Sequence, residues 1–332
     1  MTAPAPGSAT ALAQTNIALV KYWGKGDAAN NVPATASLSL TLAELGTRTT
    51  VEWTGAIAED EVMLGGRALA GRPRERVVRF LDFLRARLGI PWRARVTSTN
   101  TVPTGAGLAS SASGFAALAF AATRAAGVVL GEAALSALAR RGSASAARSI
   151  FGGFATLEPG LRPDGEDTVA RPLSLPAGAP DVRLVVAVCG EGEKALSSTE
   201  GMNRTAATSP FYRGWLEAHA ADYRAVTEAL AARDLAAAGP VIERNALRMH
   251  AAALGADPPI LYWRPATVAA LEAVWALRAG GVLAFATIDA GPHVKVLCTP
   301  AHADEVAAAL GRAPGVLRTH VCSPGPGARV EG

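Results

Sequence analysis

Polar and apolar residues alternate with period two in Ser37-Leu-Ser-Leu-Thr-Leu42, and β-like composition continues over 48–53, so both segments read as strands. The short apolar run 17–20 and the segment 92–100 read the same way, and 60–69 predicts a hairpin turning at Gly65-Gly66. Over 74–88 the period changes to 3.6, with Val77, Val78, Leu81, Leu84 and Leu88 on one stripe of an amphipathic helix. A long apolar helix is predicted over 111–130 and a second helix over 132–141, which runs into a Gly/Ser-rich stretch at 142–153. Pro, Gly and acidic residues gather over 158–180, as in a linker or surface excursion. The near-continuous apolar run 182–189 then fits a strand buried on both faces. Helices follow at 211–233, 235–254 and 265–278, strands at 283–288 and 294–298, and a helix at 303–310. The expected class is α+β in two domains, without internal repeats or heptads.

Composition narrows the classes. A chain of 332 residues is about twice a usual domain, and half its residues are hydrophobic, which excludes a disordered chain. Its 34 glycines and 21 prolines fall short of low complexity. The net charge of +4 is spread thinly, and the densest arginine run, 72–87, also holds Glu75 and Asp82 and reads as the solvated face of a helix. A nucleic-acid partner is therefore not expected. Cys189, Cys298 and Cys322 form no CxxC and have no close His partner, so neither a metal site nor a disulfide framework is expected. The first residues carry no signal-peptide pattern, and Arg124 interrupts the most apolar helix, which reads as buried and not membrane-spanning. The expected compartment is the cytoplasm.

Pro103-Thr-Gly-Ala-Gly-Leu-Ala-Ser-Ser-Ala-Ser113 follows a strand and opens a helix. Small residues let the backbone approach a ligand, and successive N–H groups at a helix start make an anion site with serine hydroxyls as further donors or Mg²⁺ ligands. The loop lacks the Gly-Lys-Ser/Thr ending of a Walker A loop and the third glycine of a dinucleotide fingerprint. Taken alone, it could equally be a tight turn with a serine cap. Three other segments accompany it. Asn16-Ile-Ala-Leu-Val-Lys-Tyr-Trp-Gly-Lys25 sets two lysines four apart beside an amide and an aromatic ring. Gly142-Ser-Ala-Ser-Ala-Ala-Arg-Ser149 presents hydroxyls and a guanidinium, and Asp289-Ala-Gly-Pro-His293 places a carboxylate at a strand end in a sharp turn.

Together these segments resemble the mevalonate diphosphate decarboxylases of the GHMP small-molecule kinase superfamily. The likeness runs from about residue 13 to 298 and rests on NIALVKYWGK, PTGAGLASSASG, RRGSASAARSIFGGF, SSTEGM and DAGPH. The loop alone points only to an ATP-dependent small-molecule kinase; the KYWGK, ARS and DAGP segments point to the decarboxylase branch. The resemblance implies a two-domain GHMP-kinase-like fold. A ribosomal-protein-like nucleotide and phosphate domain would span 1–182 and a ferredoxin-like α/β sandwich 183–332, with the active site in the cleft between them.

It also implies chemistry. ATP phosphorylates the tertiary 3-hydroxyl of mevalonate 5-diphosphate, phosphate and CO₂ leave, and isopentenyl diphosphate remains. Asp289 matches the aspartate that orients or deprotonates the hydroxyl, Lys21 the lysine beside it, and Arg148 the residue that grips the C1 carboxylate in a planar two-point contact. Asn16 would bond the carboxylate or hydroxyl region. Tyr22, Lys25, Ser143 and Ser145 would hold the 5-diphosphate, with Ser198 near the reacting hydroxyl. ATP phosphates would lie on Pro103, Gly105, Gly107, Leu108, Ala109, Ser110, Ser111 and Ser113, with Mg²⁺ reached through Ser110. Family members are commonly homodimers.

Four positions depart from the family pattern. Thr35-Ala36 stands where many members have Asn-Ser, and His293 replaces the usual Asn after DAGP. Glu200 lies near the expected diphosphate side, where a carboxylate would repel the ligand by roughly a kcal/mol or more at an effective dielectric near 20. These bear on the phosphorylation state of the substrate and keep open a sister enzyme acting on mevalonate 5-phosphate. A mevalonate 3-kinase-like relative without decarboxylation and a catalytically silent nucleotide binder are further alternatives, which the presence of Asp289, Lys21 and Arg148 together disfavours.

Overall fold

The computed structural model describes residues 5–101, 110–192 and 196–331. β1 (Gly7–Val20) passes through a small ribbon of β2 (Lys25–Asp27) and β3 (Val32–Pro33) into β4 (Ser37–Thr54). β5 (Glu61–Leu64) and β6 (Arg67–Ala68) precede α1 (Gly71–Leu88) and β7 (Arg93–Asn100). Next come α2 (Ser110–Ala125), α3 (Glu132–Gly142), a 3₁₀ helix (Ala144–Ile150), β8 (Phe154–Leu157) and β9 (Ala170–Pro172). The second half comprises β10 (Arg183–Val188), α4 (Ser198–Thr208), α5 (Tyr212–Ala231), α6 (Leu235–Leu254), α7 (Pro265–Ala279), β11 (Ala284–Ile288), β12 (Val294–Cys298), α8 (Ala303–Arg312), β13 (Arg318–Cys322) and β14 (Arg329–Glu331).

The first sheet runs β14-β1-β4-β7-β5-β6, with β8 on β4 and β9 on β8, and only the β5–β7 pair is parallel. α1, α2 and α3 pack on it around Trp53, Leu81, Leu84 and Phe115. The second sheet, β11-β12-β10-β13, is antiparallel. α7 and α8 cover one of its faces; the other packs on α5 and α6. One apolar cluster joins Leu19, Leu38 and Leu40 of the first sheet to Leu184, Val186 and Leu297 of the second, so the two sheets share a core. Hydrophobic burial there is what holds the halves in register.

The architecture is α+β, as the patterning predicts, and the hairpin turns where expected. Gly65 and Gly66 take φ of 57° and 78°, the positive values a two-residue turn between Leu64 and Arg67 needs. The expected strands 37–42 and 48–53 are one 18-residue strand, because Thr47 and Thr49 between and within them are buried and paired to polar side chains of neighbouring elements. α2 stops at Ala125, short of residue 130, with Gly127 in the left-handed region just beyond. The stretch 158–180 is tied down: β9 pairs with β8, and the buried Arg140 donates to the carbonyls of Gly165 and Thr168. α4, β8, β13 and β14 have no counterpart in the patterning. β14 pairs with β1, so the end of the chain returns to the first sheet. Among the described residues no helix is long and apolar enough to cross a membrane.

Candidate active site

A cleft of about 1010 Å³ is lined by β1 and its end, α1, the start of α2, the 3₁₀ helix, α4, α6 and the turn after β11. Register shifts in the β1–β4 pairing fall between Gln14 and Asn16 and between Ala18 and Val20. Bulges of this kind re-aim side chains, and the cleft residues Asn16 and Lys21 lie at and just beyond them. Gly24 then turns with φ of 112°, and a Cβ there would strike the Tyr212 hydroxyl, so the KYWGK segment needs its glycine.

At the centre, Lys21 Nζ lies 2.7 Å from Asp289 Oδ1, and Lys295 Nζ lies 3.0 Å from Oδ2. Both lysines are buried, while Asp289 keeps 30% of its side chain open to the cleft. Lys21 also donates to the Ala18 carbonyl at 2.8 Å, and its backbone N–H donates to Asn245 Oδ1 at 2.8 Å. Burial pulls the Lys21 ammonium down to about 8 against the opposing pull of Asp289. The two lysines hold the Asp289 carboxyl well below the usual carboxylate range, although desolvation works the other way. A carboxylate so stabilised is a weak base and a good fixed acceptor.

Arg148 comes from the 3₁₀ helix and is 2% exposed. It donates to Ser37 Oγ at 2.7 Å and Ser39 Oγ at 3.0 Å, and among the described residues no carboxylate forms an ion pair with it. Desolvation lowers its pKa to about 10. Asn16 donates through Nδ2 to the Ser145 carbonyl and to Ser149 Oγ, leaving Oδ1 buried without a partner. The Tyr22 hydroxyl is likewise buried and unpartnered, and burial pushes its pKa up. Three buried cations against one carboxylate, with two orphaned polar atoms on the same cleft, describe a site made for an anionic, hydroxyl-bearing ligand.

The expected residues gather here. Asn16, Lys21, Tyr22 and Lys25 line one wall, Ser143, Ser145 and Arg148 another, and Ser198 and Asp289 the far side. Ser111 also lines the cleft. Ser113 faces elsewhere: it is fully buried, and its hydroxyl bonds Thr47 Oγ1 at 2.8 Å between α2 and β4, so it is corrected to an interior residue. Pro103, Gly105, Gly107, Leu108 and Ala109, and the side chain of Ser110, lie outside the described residues.

Glu200 lines the cleft, and its carboxylate is engaged by its neighbours. It closes a capping box with Ser197 at the start of α4 and meets Arg72 of α1 at 3.3 Å. Its cation is Arg72; Lys25 donates to Asn31, and Arg204 to the Pro258 carbonyl. Ala36 is held through its carbonyl by His219 Nε2 at 2.7 Å. His293 Nδ1 accepts from the Cys189 N–H, tying the end of β10 to the DAGPH turn.

The arginine run is largely exposed, as its reading as a solvated face expects, and three of its members, Arg72, Arg76 and Arg79, also line the cleft. Arg76 lies over the Phe115 ring, a contact no periodicity reveals. Lys295 is the other residue the patterning misses. Its signal is a lysine inside the otherwise apolar run Val294-Lys-Val-Leu-Cys298, where a charge is rare unless paired. A smaller apolar pocket of about 170 Å³, walled by Val62, Leu69, Val77 and Leu118, shares Pro73, Arg76 and Ser111 with the cleft.

Known proteins place this geometry. A family described as diphosphomevalonate decarboxylase-like N-terminal domain matches residues 13–170, and one described as mevalonate 5-diphosphate decarboxylase C-terminal domain matches 184–319. The diphosphomevalonate decarboxylase of Candida albicans is 33% identical over 98% of this chain and 94% of its own. The mevalonate diphosphate decarboxylase of Staphylococcus aureus superposes with a TM-score of 0.93 at 37% identity, covering 99% of both chains. A structure described as MDDEF in complex with MVAPP, AMPPCP and magnesium gives 0.93 at 41% identity over 98% of this chain and 99% of that one. The chain belongs to the mevalonate diphosphate decarboxylase family.

Proposed function

We propose that this chain catalyses the ATP-dependent decarboxylation of mevalonate 5-diphosphate to isopentenyl diphosphate, releasing ADP, phosphate and CO₂. The observation that carries this reading is the Asp289 carboxylate between Lys21 and Lys295, in one cleft with a buried Arg148 that lacks a carboxylate partner. The substrate supplies what the site lacks: a carboxylate for Arg148, a tertiary hydroxyl for Asp289 and Asn16 Oδ1, and a polyanion for Tyr22, Lys25, Ser143 and Ser145.

Asp289 accepts a hydrogen bond from the 3-hydroxyl and fixes its oxygen in line with the γ-phosphorus of ATP. The new O–P bond forms as the bond to ADP breaks, and the hydroxyl proton passes to the Asp289 carboxylate late, as the oxygen becomes acidic on bonding phosphorus. Lys21 faces the charge on the transferring phosphoryl group. Departure of phosphate leaves C3 electron-poor. The electron pair of the C1–C2 bond then moves toward C3, CO₂ separates, and the double bond forms. Arg148 keeps the carboxylate in the one alignment that permits this.

The start of α2, with Ser110, Ser111 and the preceding loop, takes the ATP phosphates beside Arg76, and the adjoining apolar pocket accommodates the base. Mg²⁺ supplies charge neutralisation on those phosphates. Ser110 would be its protein ligand, with the ATP phosphates supplying further oxygens. In this reading residues 1–182 serve the nucleotide and 183–332 bring Asp289, apart from the final strand that returns to the first sheet; the working form is a homodimer.

The engagement of the Glu200 carboxylate by Ser197 and Arg72 supports the diphosphate over the monophosphate. The test is incubation with ATP, Mg²⁺ and either mevalonate 5-diphosphate or mevalonate 5-phosphate, scoring CO₂ and ADP. The diphosphate should win in kcat/KM. A tenfold preference for the monophosphate would overturn the substrate, and ADP without CO₂ would overturn the reaction.

A further inference from the structure

Asp289 is gripped from two sheets. Lys21, just past the end of β1, holds Oδ1 at 2.7 Å, and Lys295, on β12, holds Oδ2 at 3.0 Å. Lys295 is 3% exposed, lies between the buried Val294 and Val296, and has one further contact, to the His293 carbonyl at 3.3 Å. Asp289 lines the cleft and Lys295 stands behind it. A lysine this deep costs desolvation unless its charge is used.

A carboxylate with one ion pair can still rotate about its Cβ–Cγ bond. Two cations on its two oxygens, from different elements, define its plane. Charge matters as well: Lys21 and Asp289 alone would be neutral, and Lys295 makes the cluster singly positive beside the incoming phosphoryl group. Resting on the decarboxylase reading, we propose that Lys295 is a positioning residue for phosphoryl transfer, fixing the plane of the Asp289 carboxylate and supplying the net positive charge of the Lys21–Asp289–Lys295 cluster. Two other groups bear on Asp289: Arg148 from the 3₁₀ helix, and His250 from α6, which burial keeps neutral. Neither forms an ion pair with it, so neither replaces Lys295.

The experiment compares Lys295→Met and Lys295→Arg with the wild-type chain in kcat, KM for mevalonate 5-diphosphate, thermal unfolding and the carboxyl ¹³C titration of Asp289. For Lys295→Met we expect kcat to fall by about 30-fold or more with KM changed less than about threefold. Lys295→Arg should recover kcat to within about fivefold of wild type. The Asp289 carboxyl should titrate well below the usual carboxylate range in the wild type and at higher pH in Lys295→Met. A folded Lys295→Met with kcat within twofold of wild type, or an unmoved carboxyl titration, overturns the proposal. If Lys295→Met does not fold, Lys295→Arg decides: a folded Arg variant with wild-type KM and a tenfold loss of kcat overturns it. A wild-type chain that releases no CO₂ refutes the decarboxylase reading, and the carboxyl titration still reports on Lys295.

Discussion

Arg148 donates to the Ser37 hydroxyl at 2.7 Å from a position almost closed to solvent, and no carboxylate of the described chain forms an ion pair with it. A guanidinium seated on neutral hydroxyls is oriented without being neutralised, which leaves its charge for a ligand. Arg148→Lys keeps that charge but loses the planar fork. We expect kcat/KM for mevalonate 5-diphosphate to drop by about 100-fold or more, about 2.7 kcal/mol, with only a small change in unfolding temperature. Steady-state kinetics beside calorimetry checks this. A loss of stability in step with activity would mark Arg148 as a structural residue.

Asp289→Asn keeps the shape of the side chain and removes the charge that both lysines face. The expected loss in kcat is about three orders of magnitude, about 4 kcal/mol. Single-turnover measurement of ADP and CO₂ should show both lost together, since phosphorylation precedes decarboxylation. Near-wild-type kcat would remove Asp289 from the mechanism.

Lys21 gives the reaction a basic limb. Its ammonium titrates near 8 in the folded chain because burial outweighs the attraction of Asp289. If the charged form is the active one, kcat/KM falls as pH rises through about 8. The limb in kcat should lie higher, because bound polyanions favour the ammonium. The same depressed pKa makes stability rise with pH between about 8 and the unfolded value near 10.4, where the unfolded chain binds the extra proton. Lys21→Arg should move the limb out of the accessible range. A flat profile from pH 7 to 9.5 in the wild type would contradict the assignment.

How much of this the chain discloses depends on the locality of the signal. The hairpin at Gly65-Gly66 and the stripe from Val77 to Leu88 are local patterns, and both elements form. Asn16, Lys21, Arg148 and Asp289 stand out because their segments carry unusual residue types together, though 268 positions separate Lys21 from Asp289. Lys295 and the α1 arginines do not stand out, because their use depends on which face a strand or helix turns to the cleft. Glu200 misleads for a related reason. Its position beside the diphosphate wall is evident, but the pairing with the Ser197 backbone depends on a helix start that weak periodicity does not announce.

That pairing makes Glu200→Gln a mild substitution. Gln also serves at the third position of a capping box, and the Arg72 contact is exposed on both sides, so its loss matters little. We expect the kcat/KM ratio of diphosphate to monophosphate to change less than about threefold. A large gain for the diphosphate would show that the carboxylate turns toward the ligand in the working enzyme.

His250 predicts how the protein fails in acid. It is 2% exposed on α6, beside the Trp263 ring, and its Nε2 has no partner. Burial, reinforced by the Lys21 charge, lowers its pKa to about 3. The unfolded chain protonates this imidazole below about 6.5, whereas the folded chain leaves it neutral until about 3. Between those values the unfolded state binds more protons, so stability falls as pH falls, and the whole effect is of order 5 kcal/mol. Urea denaturation from pH 7 to 4 should therefore show a falling midpoint in the wild type and a distinctly shallower slope in His250→Gln, which keeps polar atoms at the site but does not titrate. Equal slopes would mean that His250 charges in the folded state and that other groups set the acid limit.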